Sequence, residues 1–225
     1  MPNSPDESEY PQESTTKIEP PITYLSQKYT ESYPGELKEI TVSAQNIALP
    51  SWHEMLTLTE SDNAERGLIV FQDTKNNFHQ GKIFKGEATS ITTTDIPIGI
   101  KDVLRRYKRA VIVHTHNMKD LEHLSTTLPS DHDIQSFAYF KNSAFIILDA
   151  KGVHMLTHIK LFNNVVPPQH LVEEMLKKEK EGEGLAANIQ RNLARELPKY
   201  GISYFYRQGV PAKDDETVTF NKLPD

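Results

Sequence analysis

The sequence predicts an α+β domain built on a mixed, mostly antiparallel sheet flanked by helices. Short β-branched and aromatic runs, typical of buried strands, occur between stretches with the apolar spacing of amphipathic helices. Several strand-like runs follow one another with only turn residues between them, as antiparallel neighbours do. Hydrophobic residues make up 37% of the 225 residues, which is enough for the core of one ordinary domain.

Residues 1–36 are predicted to form a disordered or loosely docked tail. Proline, serine, threonine and acidic residues dominate this segment, and it offers few aliphatic side chains for burial. Such a composition does not offset the entropy lost when a chain is ordered. The domain is therefore expected to span 37–165, and 166–225 is expected to be a helical and hairpin extension.

The first half of the domain alternates between strand and helix patterns. The predicted elements are a strand at 40–44, a helix at 47–59, a strand at 66–72, a returning strand at 78–89, a helix at 97–108 and a strand at 110–113. Alternating apolar residues indicate the first strand, β-branched runs indicate the later ones, and apolar residues three and four apart indicate the helices. The turn-rich segment 73–77 makes 66–89 a hairpin, and Pro97 begins the second helix.

The second half contains more strands and a long charged region. The predicted elements are a short helix that begins within 129–133 and ends at 140, strands at 144–148 and 153–159, a helix at 171–180 that resumes through 197, and a strand pair at 202–206 and 217–220. The turn residues 149–152 join two of these strands, and the Glu-Gly-Glu-Gly segment 181–184 interrupts the charged helix.

Composition excludes several classes of function. The net charge of −6 argues against a protein that coats nucleic acid or an anionic membrane, so neither is expected as a partner. No apolar run approaches the roughly 18–20 residues of a spanning helix. The N-terminus lacks the basic and apolar regions of a secretory signal, so a cytoplasmic location is expected. With no cysteine in the chain, any metal must be bound by His, Asp or Glu.

Two histidines stand at the end of the strand 110–113. His114 and His116 are two residues apart, so their imidazoles project to the same side of an extended chain. Such a pair is suited to a divalent metal such as zinc, and Asp133 could supply a third ligand. Three protein ligands and one open position form the arrangement that a hydrolytic zinc site needs, because the open position admits the attacking water.

Two further residues could assist this chemistry. Glu65, just before the strand 66–72, is a candidate general base. Ser130 could orient the carboxylate of Asp133 or donate a hydrogen bond to a developing oxyanion. The Ser130–Asp133 spacing is also that of a helix capping box, which is the simpler interpretation of these two residues alone. Six further histidines show no ligand spacing and are interpreted as incidental, namely His79, His123, His132, His154, His158 and His170.

The ordered set of an upstream Glu, His-x-His and Ser-x-x-Asp resembles the metal-site signature of the JAB/MPN (JAMM) metalloprotease superfamily. The resemblance covers roughly residues 37–160, with a helix before Glu65, a hydrophobic strand after it and another strand entering His114. The segment 71–76, followed by Lys85-Gly86, also resembles the RadC-like branch. The sequence departs from the family in having Asn117 where a proline is usual, and in a longer segment, 117–129, before Ser130.

The resemblance implies a function and a role for each of these residues. His114, His116 and Asp133 would bind zinc, Glu65 would be the general base, and Ser130 would stabilise an oxyanion or orient a ligand. The implied activity is hydrolysis of peptide or isopeptide bonds in a protein or peptide substrate, often at the tail of a ubiquitin-like protein. The longer segment 117–129, a departure from the family, could form part of a substrate groove or shield the site, and a loop of this length needs no special function to be tolerated.

Three alternatives remain open from the sequence, which does not predict an oligomeric state. Many superfamily members lack the metal site and only assemble complexes, although every site position is present here. A cupin-like or phosphohydrolase site would use the His-x-His pair differently, with Glu122 as a nearby acidic residue. A RadC-like role linked to DNA or mobile elements could use the basic cluster within 105–109, which the acidic net charge disfavours.

Deletion of residues 1–36 should leave the melting temperature essentially unchanged, because this segment contributes few apolar side chains to the core. Circular dichroism of the full chain and of the shortened chain measures the difference. A large fall in melting temperature on deletion would contradict the prediction of a tail.

Overall fold

The computed structural model describes residues 38–72, 77–86, 110–117, 127–139, 143–158, 166–179 and 184–223. Several predictions lie wholly or mostly outside these residues: the tail at 1–36, the turn at 73–77, the helix at 97–108 with its basic cluster, the domain boundary at 165 and the helix interruption at 181–184. Most of the segment 117–129, including Glu122, also lies outside them.

The described strands and helices follow the predicted order, except that the single returning strand predicted at 78–89 is wrong, since its described part forms two short strands, Phe78–Gln80 and Phe84–Lys85. The strands are β1 (Glu39–Ser43), β2 (Arg66–Gln72), β3 (Phe78–Gln80), β4 (Phe84–Lys85), β5 (Ala110–Thr115), β6 (Ser143–Leu148), β7 (Gly152–His158), β8 (Ile202–Gln208) and β9 (Thr217–Asn221). The α-helices are α1 (Leu49–Asp62), α2 (Asp131–Tyr139), α3 (Leu171–Lys178) and α4 (Leu185–Glu196), with short 3-10 turns at Gln45–Ile47 and Leu197–Tyr200.

The described strands form a single sheet in the order β1-β9-β8-β7-β6-β5-β2-β3, and β4 also pairs with β2. The neighbours β5 and β6 run parallel, whereas the other paired strands are antiparallel. The predicted mixed, mostly antiparallel sheet with flanking helices is therefore confirmed.

The ends of the described chain meet within this sheet. β8 pairs with β7 at seven consecutive positions, and β9 pairs with β1 from Glu39↔Asn221 to Ser43↔Thr217. The predicted terminal strand pair, β8 and β9, shares the position Tyr206↔Asn221. The strands of the 166–225 segment therefore lie in the same sheet as β2, β5 and β6.

Helices cover both faces of the sheet. Leu68 and Val70 of β2 join Val111 and Val113 of β5 in the core beneath α1. The intervening Ile69 and Ile112 join the core on the opposite face, where α2, α3 and α4 pack. This alternation assigns successive residues of β5 to opposite faces, so residue 114 lies on the α2 side and residue 115 on the α1 side.

A tight connection leads from α1 into β2. The helix ends at Asp62 and is capped by Asn63, which adopts the left-handed conformation (φ 59°) and whose N–H donates to Thr59 O. β2 begins three residues later at Arg66. Only Ala64 and Glu65 separate the helix cap from the strand, so the connection leaves Glu65 little freedom of position.

Gly67 of β2 lies directly opposite His114 of β5 and beneath the ring of Phe84. A Cβ atom at this position would lie 2.3 Å from Phe84 Cζ, and Phe84 is buried. The absence of a side chain at Gly67 therefore allows β4 to pack against β2 beside the histidine.

Gly67→Ala should lower the free energy of unfolding by about 1–3 kcal/mol, because the added methyl group overpacks a buried site. Urea denaturation measures the loss. Phe84→Leu in the same chain should recover part of it, since the smaller side chain vacates the contact. If the double variant instead loses the sum of the two single-variant losses, the ring of Phe84 does not limit the side chain at residue 67.

Candidate metal centre

Asp133 lies between the two histidines of the His-x-His pair. His114 Nε2 lies 3.0 Å from Asp133 Oδ1, and His116 Nε2 lies 3.1 Å from Asp133 Oδ2. All three residues are buried. One potential ligand atom from each lies within 4.8 Å of the others, so the group could hold a metal ion. The structure therefore brings together the three residues that the sequence predicted as ligands.

The strand β5 places both imidazoles on the α2 side of the sheet, as their spacing predicted. Their ring centroids are 5.3 Å apart, and the His114 ring meets Phe145 of β6 edge-on. Beyond the end of β5, His116 N–H donates to Leu148 O at 2.8 Å, which continues the pairing with β6. The parallel neighbour thus holds the backbone of the histidine pair.

The N-terminus of α2 carries the third member of the group. Ser130 precedes the helix, and its Oγ accepts a hydrogen bond from Asp133 N–H at 3.1 Å. In return, Asp133 Oδ2 accepts from Ser130 N–H at 2.7 Å and from Ser130 Oγ at 2.6 Å. This reciprocal pattern is a capping box with Asp in place of Glu. The same contacts that begin the helix also aim the carboxylate at the histidines.

A second acidic residue anchors this helix to the C-terminal part of the chain. Asp131 accepts hydrogen bonds from Val172 N–H at 2.7 Å and Glu173 N–H at 3.0 Å, so it caps α3 from α2. Gln135 Nε2 donates to Pro167 O at 2.7 Å. These contacts position α2, and with it Asp133, against the segment that follows residue 165.

Glu65 is buried at the start of β2, and its carboxyl group is not part of the three-residue ligand group. Burial raises its pKa to about 7, although the positive charges of His114 and His116 oppose that rise. The carboxyl group of Glu65 therefore interacts electrostatically with the ligand group, and a pKa of about 7 lets it exchange a proton near neutral pH.

The buried Arg66 holds the backbone around Glu65, a role that sequence reasoning missed. Its guanidinium donates to Ala64 O at 2.8 Å and Glu65 O at 3.2 Å, and it forms an ion pair with Asp62 at 2.7 Å. Lys85 also contacts Asp62, and their hydrogen bond, with that of Arg66, holds the pKa of Asp62 far below its usual range. The sequence signal for this role was the position of Arg66 directly after the candidate base Glu65.

Opposite charges stabilise each other within the ligand group. Burial lowers the pKa of His116, but the hydrogen bond to Asp133 and that residue's charge outweigh burial and raise it to about 8. Burial raises the pKa of Asp133, but the charges and hydrogen bonds of the two imidazoles hold it well below its usual range. Each partner therefore favours the charged form of the other, with Asp133 favouring a proton on His116 and the two imidazoles favouring the ionised carboxylate.

A second buried polar network, which was not predicted from the sequence, surrounds His154. His154 joins Asp149 Oδ2 at 2.5 Å through Nε2 and Tyr204 Oη at 2.7 Å through Nδ1. Asp149 Oδ1 also accepts from the N–H groups of Lys151 and Gly152 at the β6–β7 turn. His154 was interpreted as incidental, yet it joins two strands and a turn. The Asp-x-x-Gly turn is the sequence signal that could have identified Asp149.

None of the described helices combines the length and the apolar composition of a membrane span. Comparison with models of protein families, with curated proteins and with solved structures finds no match. The fold and the site together define a mixed α/β protein with a buried His-His-Asp group that could bind a metal ion.

Affinity for a divalent metal should rise about tenfold per pH unit up to about pH 8 and then level off, because one proton must leave His116 before a metal binds. The same raised pKa makes the stability of the protein without metal fall as the pH rises. The stabilisation by protonated His116 is complete below pH 6.5 and disappears as the pH rises through 8. Titration with Co²⁺ between pH 6 and 9 measures the affinity. A pH-independent affinity would exclude His116 as the protonated ligand.

Proposed function

We propose that this protein is a zinc-dependent metallopeptidase of the JAB/MPN (JAMM) type that hydrolyses peptide or isopeptide bonds. The observation that carries the proposal is the convergence of His114, His116 and Asp133 in one buried group. The charge of that group acts on the carboxyl of Glu65, which stands outside it. The protein or peptide substrate could include the tail of a ubiquitin-like protein.

The chemistry of the donors fits zinc. Two imidazole nitrogens and one carboxylate oxygen are a ligand set that catalytic zinc sites use, with a fourth position left for water or substrate. Bound zinc would polarise the scissile carbonyl and acidify a water molecule. The capping box of Ser130 holds the carboxylate of Asp133 in a fixed direction, which supports a preformed site for the ion.

Glu65 is suited to move the proton in this reaction. Since burial raises its pKa to about 7, its carboxylate can accept a proton from the attacking water and its carboxylic acid can return that proton to the leaving amine nitrogen. The capped end of α1 and the main-chain contacts of Arg66 hold this residue at the start of β2. These features support the role of a general base at a defined position.

Ser130 is better suited to orient a ligand than to stabilise an oxyanion. Its hydroxyl donates to Asp133 Oδ2 at 2.6 Å, and its N–H donates to the same oxygen. Because a hydroxyl group has one proton to donate, an oxyanion would have to compete with a charged carboxylate for it. We therefore assign Ser130 to the orientation of Asp133.

Zinc analysis and peptidase assays of four variants test the proposal. His114→Ala and Asp133→Ala should lose stoichiometric zinc. Glu65→Gln should retain zinc and lose about 10²–10⁴-fold in turnover, because it removes the base and no ligand. Glu60→Gln, an exposed change on α1, is the matched control and should behave as the wild type.

Quenched peptides and isopeptide-linked ubiquitin-like fusions serve as substrates in these assays. Wild-type turnover in Glu65→Gln would place the base elsewhere. Zinc binding in the wild type without cleavage of any substrate would instead favour the alternative of a non-catalytic MPN scaffold or RadC-like protein.

A further inference from the structure

Thr115 lies between the two histidines but faces the other side of the sheet. It is fully buried, as is Thr59 of α1, and their hydroxyl oxygens are 2.7 Å apart. The same Thr115 Oγ1 accepts a hydrogen bond from Arg66 N–H at 2.9 Å. One hydroxyl therefore connects a helix and two strands at the level of the ligand group.

This contact occurs where β2 and β5 stop pairing. Their register ends at Gly67↔His114, so the next pair would be Arg66 and Thr115. On its other edge, β5 continues to pair with β6 through Thr115↔Leu148. The N–H of Arg66 donates to the Thr115 hydroxyl and not to a main-chain carbonyl. The hydroxyl therefore links the two strands at the point where their main chains stop pairing.

We propose that Thr115 is a positioning residue whose hydroxyl ties the start of β2, and with it Glu65, to the strand that carries His114 and His116. Thr59 fixes the direction of that hydroxyl from α1. The inference rests on the proposed function of the site, since it assigns the geometry between its base and its metal ligands.

The histidine pair and Glu65, which the Thr115 hydroxyl links, are held by different further contacts. The histidine pair has a second anchor, because His116 N–H donates to Leu148 O of β6. Glu65 is held through its main chain, where its carbonyl accepts from Gly86 N–H at 2.9 Å and from Arg66 Nη1 at 3.2 Å, and the following amide, Arg66 N–H, donates to Thr115 Oγ1. Loss of the hydroxyl leaves the buried Arg66 N–H without that acceptor, so the cost falls on the start of β2. The remaining contacts of the Glu65 carbonyl limit the displacement, and we expect the carboxyl group of Glu65 to shift more than the histidine pair.

The variants Thr115→Val and Thr115→Ser separate the hydroxyl from the shape of the side chain. Valine has nearly the volume of threonine and removes the hydroxyl, whereas serine retains it. Thr41→Val is the matched control, because Thr41 and Thr219 form a similar hydroxyl pair, 2.9 Å apart, on β1 and β9. If Thr115→Val does not fold, Thr59→Val removes the second hydroxyl and leaves the acceptor for Arg66 N–H in place.

Two measurements report on the proposal. The first is amide hydrogen exchange at Arg66 by NMR, which needs no turnover. It should be about tenfold or more faster in Thr115→Val, and unchanged in Thr115→Ser and Thr41→Val. The second is peptidase kinetics of the zinc-loaded protein. In Thr115→Val, kcat should fall about 10–100-fold with KM and zinc affinity close to wild type, and Thr115→Ser should restore kcat. Thr59→Val should change both quantities in the same direction by a smaller factor.

The outcomes separate this inference from the proposed function. Wild-type exchange at Arg66 in Thr115→Val overturns the positioning role, whatever the turnover. An equal loss of zinc affinity and kcat also overturns it, because the hydroxyl would then support the ligands and not the base. A zinc-loaded wild type that cleaves no substrate refutes the peptidase, while the exchange measurement still decides whether Thr115 holds the start of β2.

Discussion

The carboxylate of Asp133 is the contact on which the site depends. Its two oxygens reach one imidazole each, at 3.0 and 3.1 Å, and one oxygen also accepts two hydrogen bonds from Ser130. A buried carboxylate is costly unless charged or hydrogen-bonding partners surround it. The partners of this one come from a strand end and from a helix start, so its stabilisation joins β5 to α2 and defines the candidate metal centre.

The end of a strand register is the second feature that shapes the site. β5 runs parallel to β6 and antiparallel to β2, and beyond Gly67↔His114 it follows β6 alone. Glu65 directly precedes β2 at this point, and its carboxyl group is not part of the three-residue ligand group. In the proposed hydrolytic role, a base must lie close to the ligands and stay free of the metal, and the end of the strand register would allow Glu65 that position.

Local patterns predicted much of this arrangement. The two-residue spacing of His114 and His116 correctly put both rings on one side, because side chains alternate along a strand. The Ser130–Asp133 spacing predicted a capping box, and the structure has one that also orients the carboxylate. The order of the described elements was likewise predicted, since each depends on residues a few positions apart. Two of the interpretations offered for Ser130, the capping box and the orientation of Asp133, describe the same set of contacts.

The sequence by itself therefore determined the element types, the face of β5 that bears the imidazoles and the donors available to a metal. Only the tertiary structure decided that Asp133 meets those imidazoles, that β1 pairs with β9, that Thr115 accepts the Arg66 N–H and that His154 joins a buried network. These contacts join residues 5 to 182 positions apart. No local propensity encodes them, because they follow from strand order and from the need of buried polar groups for partners.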